Sequence, residues 1–563
     1  VTDADCDVIV IGSGPGGATA ADVLTAAGWT VIMLEKGRNH LVGLDPPYDP
    51  LRHLANDEVA SVRRHLLGPD PRLEPRSYRR GPEDGERLLV GEVNNLPSTV
   101  GGGGFHADGK LPRFREEDFE LRSVRGPVEG ADVRDWPITY ADLEPHYAAV
   151  ERLIGVAGEA GSNPFAAWRS GDYPMPPGPD MPMALVTSAA AERAGLHPYR
   201  APTGANSVTY GGRPACVDCG FCGRYGCPVA AKGDPIASLQ RMLRSGRAEL
   251  RPEAYVTEIV RDASGRRATG VRYLDLRHHP EAPVVELRAA RAVVVAGGTF
   301  ETTRLLLRNG LGGDLVGRHL TYHFQTFTVG IFPDDTGGER GRDITHLHDD
   351  LMIDTPELRA VAREAGLPWV RGGVTEHGSA SGPVDEALMY PPGTAHLREM
   401  AGSSLRRRLW VLTVQGEDLA QGDNRIDLDP AVRDAWGFPA GRVTYRPHRH
   451  ELAASDHASA IHEAVLADAG AKAVFSSTSP PQDHIDRHAT VNPIGIAPAS
   501  RHIMGTTRMG DDPATSVVSP EQRLWDVDNV LICDSSVFAT SSGYNPTLTL
   551  AALAHRAATL LTR

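Results

Sequence analysis

The clearest hydrophobic pattern lies at the start of the chain, where Asp7 to Ile11 is a short β-branched run suited to a strand covered on both faces. Residues 7 to 35, DVIVIGSGPGGATAADVLTAAGWTVIMLE, predict a buried strand, a glycine turn, a helix and a second strand ending in an acid. From about 248 to 298 the pattern alternates: LRPEAYVTEIV, a DASG turn at 262 to 265, ATGVRYLDL and VVELRAARAVVVAGG. This predicts a strand meander that returns to the main sheet at Ala292 to Ala296, after which Thr302 to Leu307 starts a helix. Near the end, Val530 to Asp534 predicts another sheet strand and Pro546 to Thr549 a helix start with free amides. Residues 38 to 99 are rich in Pro, Arg and acids with little periodicity, and are expected to be long surface excursions. The segments 166 to 207 and 326 to 489 are irregular, with LRRRLWVLTVQGED at 405 to 418 and the helix-like HELAASDHASAIHEAVLADAG. They are expected to build a second domain, a sheet with helices.

The first unit carries chemistry. Gly12 permits a sharp turn, Gly14 lets backbone approach a pyrophosphate beside Pro15, and Gly17 lets the helix lie close to the sheet. The helix N-terminus offers N–H groups to phosphate, and Glu35, 18 residues past Gly17, can accept from ribose hydroxyls. That context marks a dinucleotide-binding unit.

Bulk properties agree with an enzyme. At 563 residues the chain suggests two intimately joined domains. With 58 basic and 72 acidic residues mixed along the chain, the net charge of −14 disfavours a nucleic-acid or anionic-membrane partner. No apolar run approaches the length of a membrane span. The chain opens almost directly on a strand, leaving no room for a signal peptide, so the cytoplasm is the expected compartment. No HExxH, GxSxG or P-loop occurs, and no internal repeat.

Together with HIMGTTRMG from His502 and SSGYNPTLTLAALAHR around Asn545, the first 37 residues resemble the glucose-methanol-choline family of FAD-dependent oxidoreductases. The resemblance extends through VGGGGFHADGKLPRF at 100 to 114, residues 135 to 158, 293 to 310, and nearly everything from His502 onward. It implies an α/β fold: a Rossmann-like FAD-binding domain from 1–165, 208–325 and 490–563, with an interleaved α+β substrate-binding domain from 166–207 and 326–489 roofing the flavin with a mixed sheet. His502 is then the base that takes the hydroxyl proton while hydride leaves the same carbon for the flavin. Asn545 would donate from its amide to the substrate oxygen. Expected flavin contacts beyond the glycine turn are Lys36, Val100, Gly101, Gly102, Phe105, His106, Ala107, Val256, Asp534, Ser535, Pro546 and Thr547. His106 stands where several relatives join a histidine covalently to the flavin, but Phe105 and Ala107 differ from the Thr and Trp of that pattern, so a non-covalent wall is the alternative. For Asp534, a strand-end cap is the competing role.

Four of the six cysteines, Cys216, Cys219, Cys222 and Cys227, fall in CVDCGFCGRYGCP. Their spacing is one residue longer in its last gap than a bacterial ferredoxin run, so an iron-sulfur cluster, zinc, disulfides and free thiols all stay open. Cys6 and Cys533 are expected to be inert core residues, and the histidines of HLH (346 to 348) and HRH (448 to 450) to lie on the surface. The resemblance leans toward pyranose and glycoside oxidases, which implies a sugar or glycoside ring hydroxyl as substrate and oxygen or another acceptor for the electrons. An iron-sulfur dehydrogenase subunit and a sterol or aliphatic alcohol oxidase are the alternatives. The charged 326 to 489 stretch tilts toward a polar substrate.

Overall fold

Strand β1 (Cys6–Ile11) occupies the centre of a parallel sheet because it is apolar on both faces: Val8 and Val10 enter one core, Ile9 and Ile11 the other. A computed structural model describes residues 4–39, 44, 70–478 and 500–563, apart from 86, 92, 94–95, 221, 223–226, 279–280, 339–340, 343, 379–392 and 403–404. β1 pairs in parallel with β2 (Val31–Leu34) and β9 (Val284–Val295), flanked by β6 (Ala248–Arg251) and β17 (Val530–Ile532). β7 (Ala254–Arg261) and β8 (Ala268–Asp275) form the antiparallel meander, which joins the first half of β9 while its second half lies between β1 and β17. Helix α1 (Pro15–Ala26) packs on this sheet and against α5 (Ile236–Arg244) and α8 (Thr547–Leu561).

The second sheet pairs antiparallel throughout, in the order β16 (Ala473–Thr478), β10 (His323–Ile331), β13 (Leu409–Glu417), β12 (Gly373–Gly378), β11 (Ile344–His348), β5 (Tyr199–Arg200). Helices α4 (Pro182–Arg193) and α7 (Arg449–Asp468) cover one face. Neighbouring residues of a strand point to opposite faces, and β12 shows both: His377 bonds Thr187 of α4, while Glu376 reaches Asn545. A border after residue 325 would cut β10 after its third residue, so we propose that the substrate-binding part begins at His323.

The expectation of surface excursions over 38 to 99 is corrected where residues are described. β3 (Arg76–Arg79) is buried, and with β4 (Leu89–Gly91) it extends a hairpin of β14 (Arg425–Arg433) and β15 (Pro439–Thr444) into a four-stranded sheet. Burial here follows from pairing with a distant strand and from packing: Tyr78 joins Phe300, Tyr322 and Tyr445, and the Arg76 guanidinium lies 3.8 Å over the Phe300 ring. Residues 40–43 and 45–69 lie outside the described residues.

Candidate active site

β10 carries His323 into the interior at 1% exposure, and its ring meets that of the partly exposed His502 edge to face. Their Nδ1 atoms lie 2.9 Å apart, and His323 Nε2 lies 3.3 Å from the carbonyl oxygen of Ser541. A carbonyl only accepts, so His323 donates from Nε2 and, as a neutral imidazole, accepts at Nδ1. His502 must therefore donate from its own Nδ1, which leaves its lone pair on Nε2. Burial pushes His323 down to about 4, and burial followed by the charges of His323 and Lys110 pushes His502 well below the ordinary imidazole range, so both rings are neutral near pH 7. Thr299 Oγ1, in the first turn of α6 (Gly298–Asn309), and Ser535 Oγ both donate to the Ile503 carbonyl, at 2.6 and 2.7 Å, and hold the His502 loop.

Asn545 is 3% exposed and precedes Pro546, the N-cap residue of α8. Its Nδ2 donates to Glu376 Oε1 at 3.0 Å, while its Oδ1 has no partner among the described residues. Glu376 is in turn 2.7 Å from Lys110 Nζ, which also reaches Asp108 at 2.9 Å. Burial would favour a neutral Lys110, but Asp108 and Glu376 hold its ammonium well above the usual lysine range. The loop that bears Asn545 is docked from several sides. Ser541 Oγ donates to Asp418 O (2.8 Å), Val374 N donates to Gly543 O (2.9 Å), and Tyr544 OH donates to Asp349 Oδ2 (2.5 Å). The two expected residues thus share one anchor: His502 reaches Ser541 through His323, and Asn545 follows four residues later.

At the other end, Gly12 adopts φ +98° and a Cβ there would come within 2.2 Å of Ala296 O, whereas a Cβ on Gly14 would meet nothing within 4 Å. That open ground fronts the start of α1, which no side chain caps. Ser13 Oγ donates to Glu35 Oε2 (2.7 Å) and accepts from Gly101 N (2.9 Å), and Gly37 N donates to Glu35 Oε1 (2.8 Å), which ties the turn, the acid and the second glycine run together. Burial raises the Glu35 carboxyl above its usual range. An open, uncapped helix start beside a buried acid fits the diphosphate and ribose of FAD. Gly102 abuts Gly14 and begins the short helix α2 (Gly102–His106), with Val100 and Phe105 fully buried and the His106 ring edge-on to Phe105. Lys232 Nζ anchors this wall by donating to the carbonyls of Phe105 and Ala107.

The side chains of other expected contacts also have neighbours within the protein. The Lys36 ammonium is taken by Glu74 (2.5 Å) and Glu301 (3.4 Å), and Val256 belongs to the main core. Asp534 accepts from Ser536 N and Oγ, Gly298 N and Thr302 Oγ1, so its side chain caps the strand end and α6. Ser535 holds the His502 loop as described. Thr547 opens α8, whose first turn has no side-chain cap.

Two GMC oxidoreductase models match residues 181–325 and 420–554, and an FAD binding domain model matches residues 5–43. The chain is 31% identical to 6'''-hydroxyparomomycin C oxidase of Streptomyces lividus, over 98% of this chain and 90% of that one. It belongs to the GMC oxidoreductase family. It is 29% identical to 2-methyl-1,2-propanediol dehydrogenase of Mycolicibacterium austroafricanum (100% of this chain, 96% of that one). It is 27% identical to C-glycoside 3-oxidase of Microbacterium trichothecenolyticum (99% and 96%). In fold it is similar to pyridoxine 4-oxidase from Mesorbium loti, with TM-score 0.60 at 15% identity over 99% of both chains. It is also similar to formate oxidase, with TM-score 0.63 at 14% identity over 100% of this chain and 99% of that one. This GMC oxidoreductase is an FAD-dependent enzyme of the kind that acts on CH–OH groups.

No disulfide joins Cys216, Cys219, Cys222 and Cys227 of this GMC oxidoreductase, and among the described residues no three metal-ligating side chains converge. Cys227 Sγ accepts from Ala231 N at 3.2 Å, and the Cys222 carbonyl accepts from Lys232 at 3.3 Å, so the segment braces the flavin wall. Cys6 and Cys533 are buried, and burial pushes the Cys6 thiol up to about 11. The expectation of surface histidines is corrected: His346, His348, His448 and His450 are all buried. They are built into the interior, His348 against His377 (2.8 Å), His448 capping α7, and His450 accepting from Arg371 N (3.1 Å).

His323, Glu376, Lys110 and Asp108 were not singled out by sequence. Lys110 and Asp108 stand inside the quoted GGGGFHADGK motif, and Glu376 stands within GGVTEHG. Those signals mark positions without naming partners.

Proposed function

We propose that this enzyme oxidises a secondary ring hydroxyl of a sugar or glycoside to a ketone, with His502 Nε2 as the proton acceptor and oxygen or another acceptor taking the electrons. The observation that carries the reading is the directed chain Ser541–His323–His502, which leaves one unprotonated nitrogen on His502 within electrostatic reach of Lys110. FAD, when bound, supplies the two-electron acceptor. The chain's own residues do the rest. His502 accepts the hydroxyl proton at Nε2, Asn545 holds the oxygen from its amide, and the docked 541 to 545 loop keeps the two in register. His106 is read as a non-covalent wall packed on Phe105, so acid precipitation should leave yellow supernatant over colourless protein.

A polar surround of Asp108, Lys110, Glu376 and Asn545 supports a hydroxylated substrate. So do the activities of relatives, among them C-glycoside 3-oxidase, paromamine 6'-oxidase and gluconate 2-dehydrogenase flavoprotein. The test is anaerobic flavin bleaching against glucose, methyl glucoside, gluconate, fructose, paromamine, cholesterol and octanol, followed by admission of oxygen. Bleaching by hydroxylated members and its loss in His502→Ala, with flavin retained, is expected. Bleaching by cholesterol or octanol alone would overturn the substrate class, and full activity of His502→Ala would overturn the base.

A further inference from the structure

Taking His502 as the base and Asn545 as its neighbour, as proposed above, we infer that Glu376 is a positioning residue. With Lys110 as counter-ion, it decides which end of the Asn545 amide faces the reacting hydroxyl. The two ends of a carboxamide are alike in shape and opposite in hydrogen bonding, so packing alone does not choose between them. Glu376 does choose. A carboxylate paired with an ammonium offers only acceptor oxygens, so the group 3.0 Å from Glu376 Oε1 has to be the amide nitrogen.

Three further observations agree. Lys110 is 6% exposed, sits on the other oxygen of the same carboxylate, and is a donor only. Without Glu376 the nearest charge would be an ammonium, which prefers the carbonyl end of Asn545 and would turn the amide round. Asn545 Oδ1 is left buried and without a partner among the described residues, so no second contact from those residues fixes the amide. Finally, a carboxylate 2% exposed on a strand whose next residue packs under a helix is costly to bury. Two acids, Asp108 and Glu376, share the Lys110 ammonium, and the charges of Lys232 and Arg501 act on Asp108 as well. One N–H of Asn545 is held by Glu376, and the other, which has no acceptor among the described residues, can donate to the substrate oxygen. Charge assistance on the first bond fixes the direction of the second.

The test is a double-mutant cycle on the holoenzyme with Glu376→Gln, Asn545→Ala and both together. The probe is every panel member that bleaches the wild-type flavin. Limiting reduction rate, calorimetric affinity for the corresponding ketone and melting temperature are read for each protein. Glu376→Gln should slow reduction about 10-fold or more, weaken ketone binding, and leave the flavin spectrum and the acid limb of the pH profile in place. In the Asn545→Ala background the same change should cost under about 2-fold, because its effect passes through the amide. Should Glu376→Gln fold poorly, Glu376→Asp keeps an acceptor-only partner and should retain more activity than any neutral substitution that folds. Wild-type rates in Glu376→Gln, or costs that multiply with those of Asn545→Ala, would overturn the role. If His502→Ala keeps its activity, or no panel member bleaches the flavin, the underlying assignment fails instead. If His502→Ala is dead while Glu376 and Asn545 act independently, only the role of Glu376 fails.

Discussion

His323 and His502 face each other nitrogen to nitrogen, 2.9 Å apart, and the hydrogen between them can point only one way because the Ser541 carbonyl occupies the far side of His323. Replacing His323 with Leu removes the acceptor and lets His502 carry its hydrogen on either nitrogen. Flavin reduction should then fall about 100-fold or more, with FAD still bound. His323→Gln can accept through its amide oxygen and should recover part of the loss. Stopped-flow reduction checks both, and a wild-type rate in His323→Leu would mean that something else sets the tautomer.

The base has to be unprotonated, and its affinity for protons is well below that of an ordinary histidine, chiefly through burial. Activity is therefore lost as pH falls, but only at pH values well under the ordinary imidazole value of about 6.5. The reduction rate constant should be flat from pH 7 to 6, with its acid limb below that range. A limb centred at or above about 6.5 would show that His502 titrates as a solvated imidazole.

No disulfide joins the four cysteines of the 216 to 227 segment; Cys227 Sγ accepts from Ala231 N, and the Cys222 carbonyl accepts from Lys232. Anaerobically purified protein should contain neither iron nor acid-labile sulfide in stoichiometric amount, and Cys216→Ser should reduce flavin at the wild-type rate. Equimolar iron and sulfide would restore the relay reading.

His348, His377 and His462 lie buried between the antiparallel sheet and its helices, and burial pushes His377 and His462 down to about 3. Their folded values lie below the unfolded one, so each contributes stability that is complete above about pH 6.5 and drains away as pH falls toward 3, by about 1.4 kcal/mol per pH unit per residue at most. Glu451, raised by burial to about 8, works the opposite way, gaining stability as pH falls from 8 toward its unfolded value. Denaturant midpoints for wild type and His462→Gln between pH 6.5 and 4.5 separate the two, since only the histidine contribution changes. The wild type should show the steeper acid loss, and parallel curves would mean that His462 is not held neutral.

Much of the framework was legible because its causes are local. The β-branched run of β1, the glycine turn, the alternation of β7 to β9 and the proline-led start of α8 are constraints on neighbouring residues. Burial of Arg76–Arg79 was not legible, since it depends on pairing with β15 more than 360 residues later. Composition misled in one respect. The charges between 326 and 489 include Arg371, 1% exposed and bonded to Glu417 (2.6 Å) and Asp118 (2.7 Å), which makes them interior struts as much as substrate-facing groups.

The amino-acid sequence alone determined the dinucleotide-binding unit, the strand meander and the two residues expected to carry the chemistry, because backbone freedom and hydrophobic period act over a few residues. The tertiary structure decided how those two residues are made competent. His323 lies 179 residues from His502, and Glu376 lies 169 residues from Asn545. A histidine's tautomer and an amide's orientation are set by whichever donor or acceptor folding brings within 3 Å, and no local pattern encodes that.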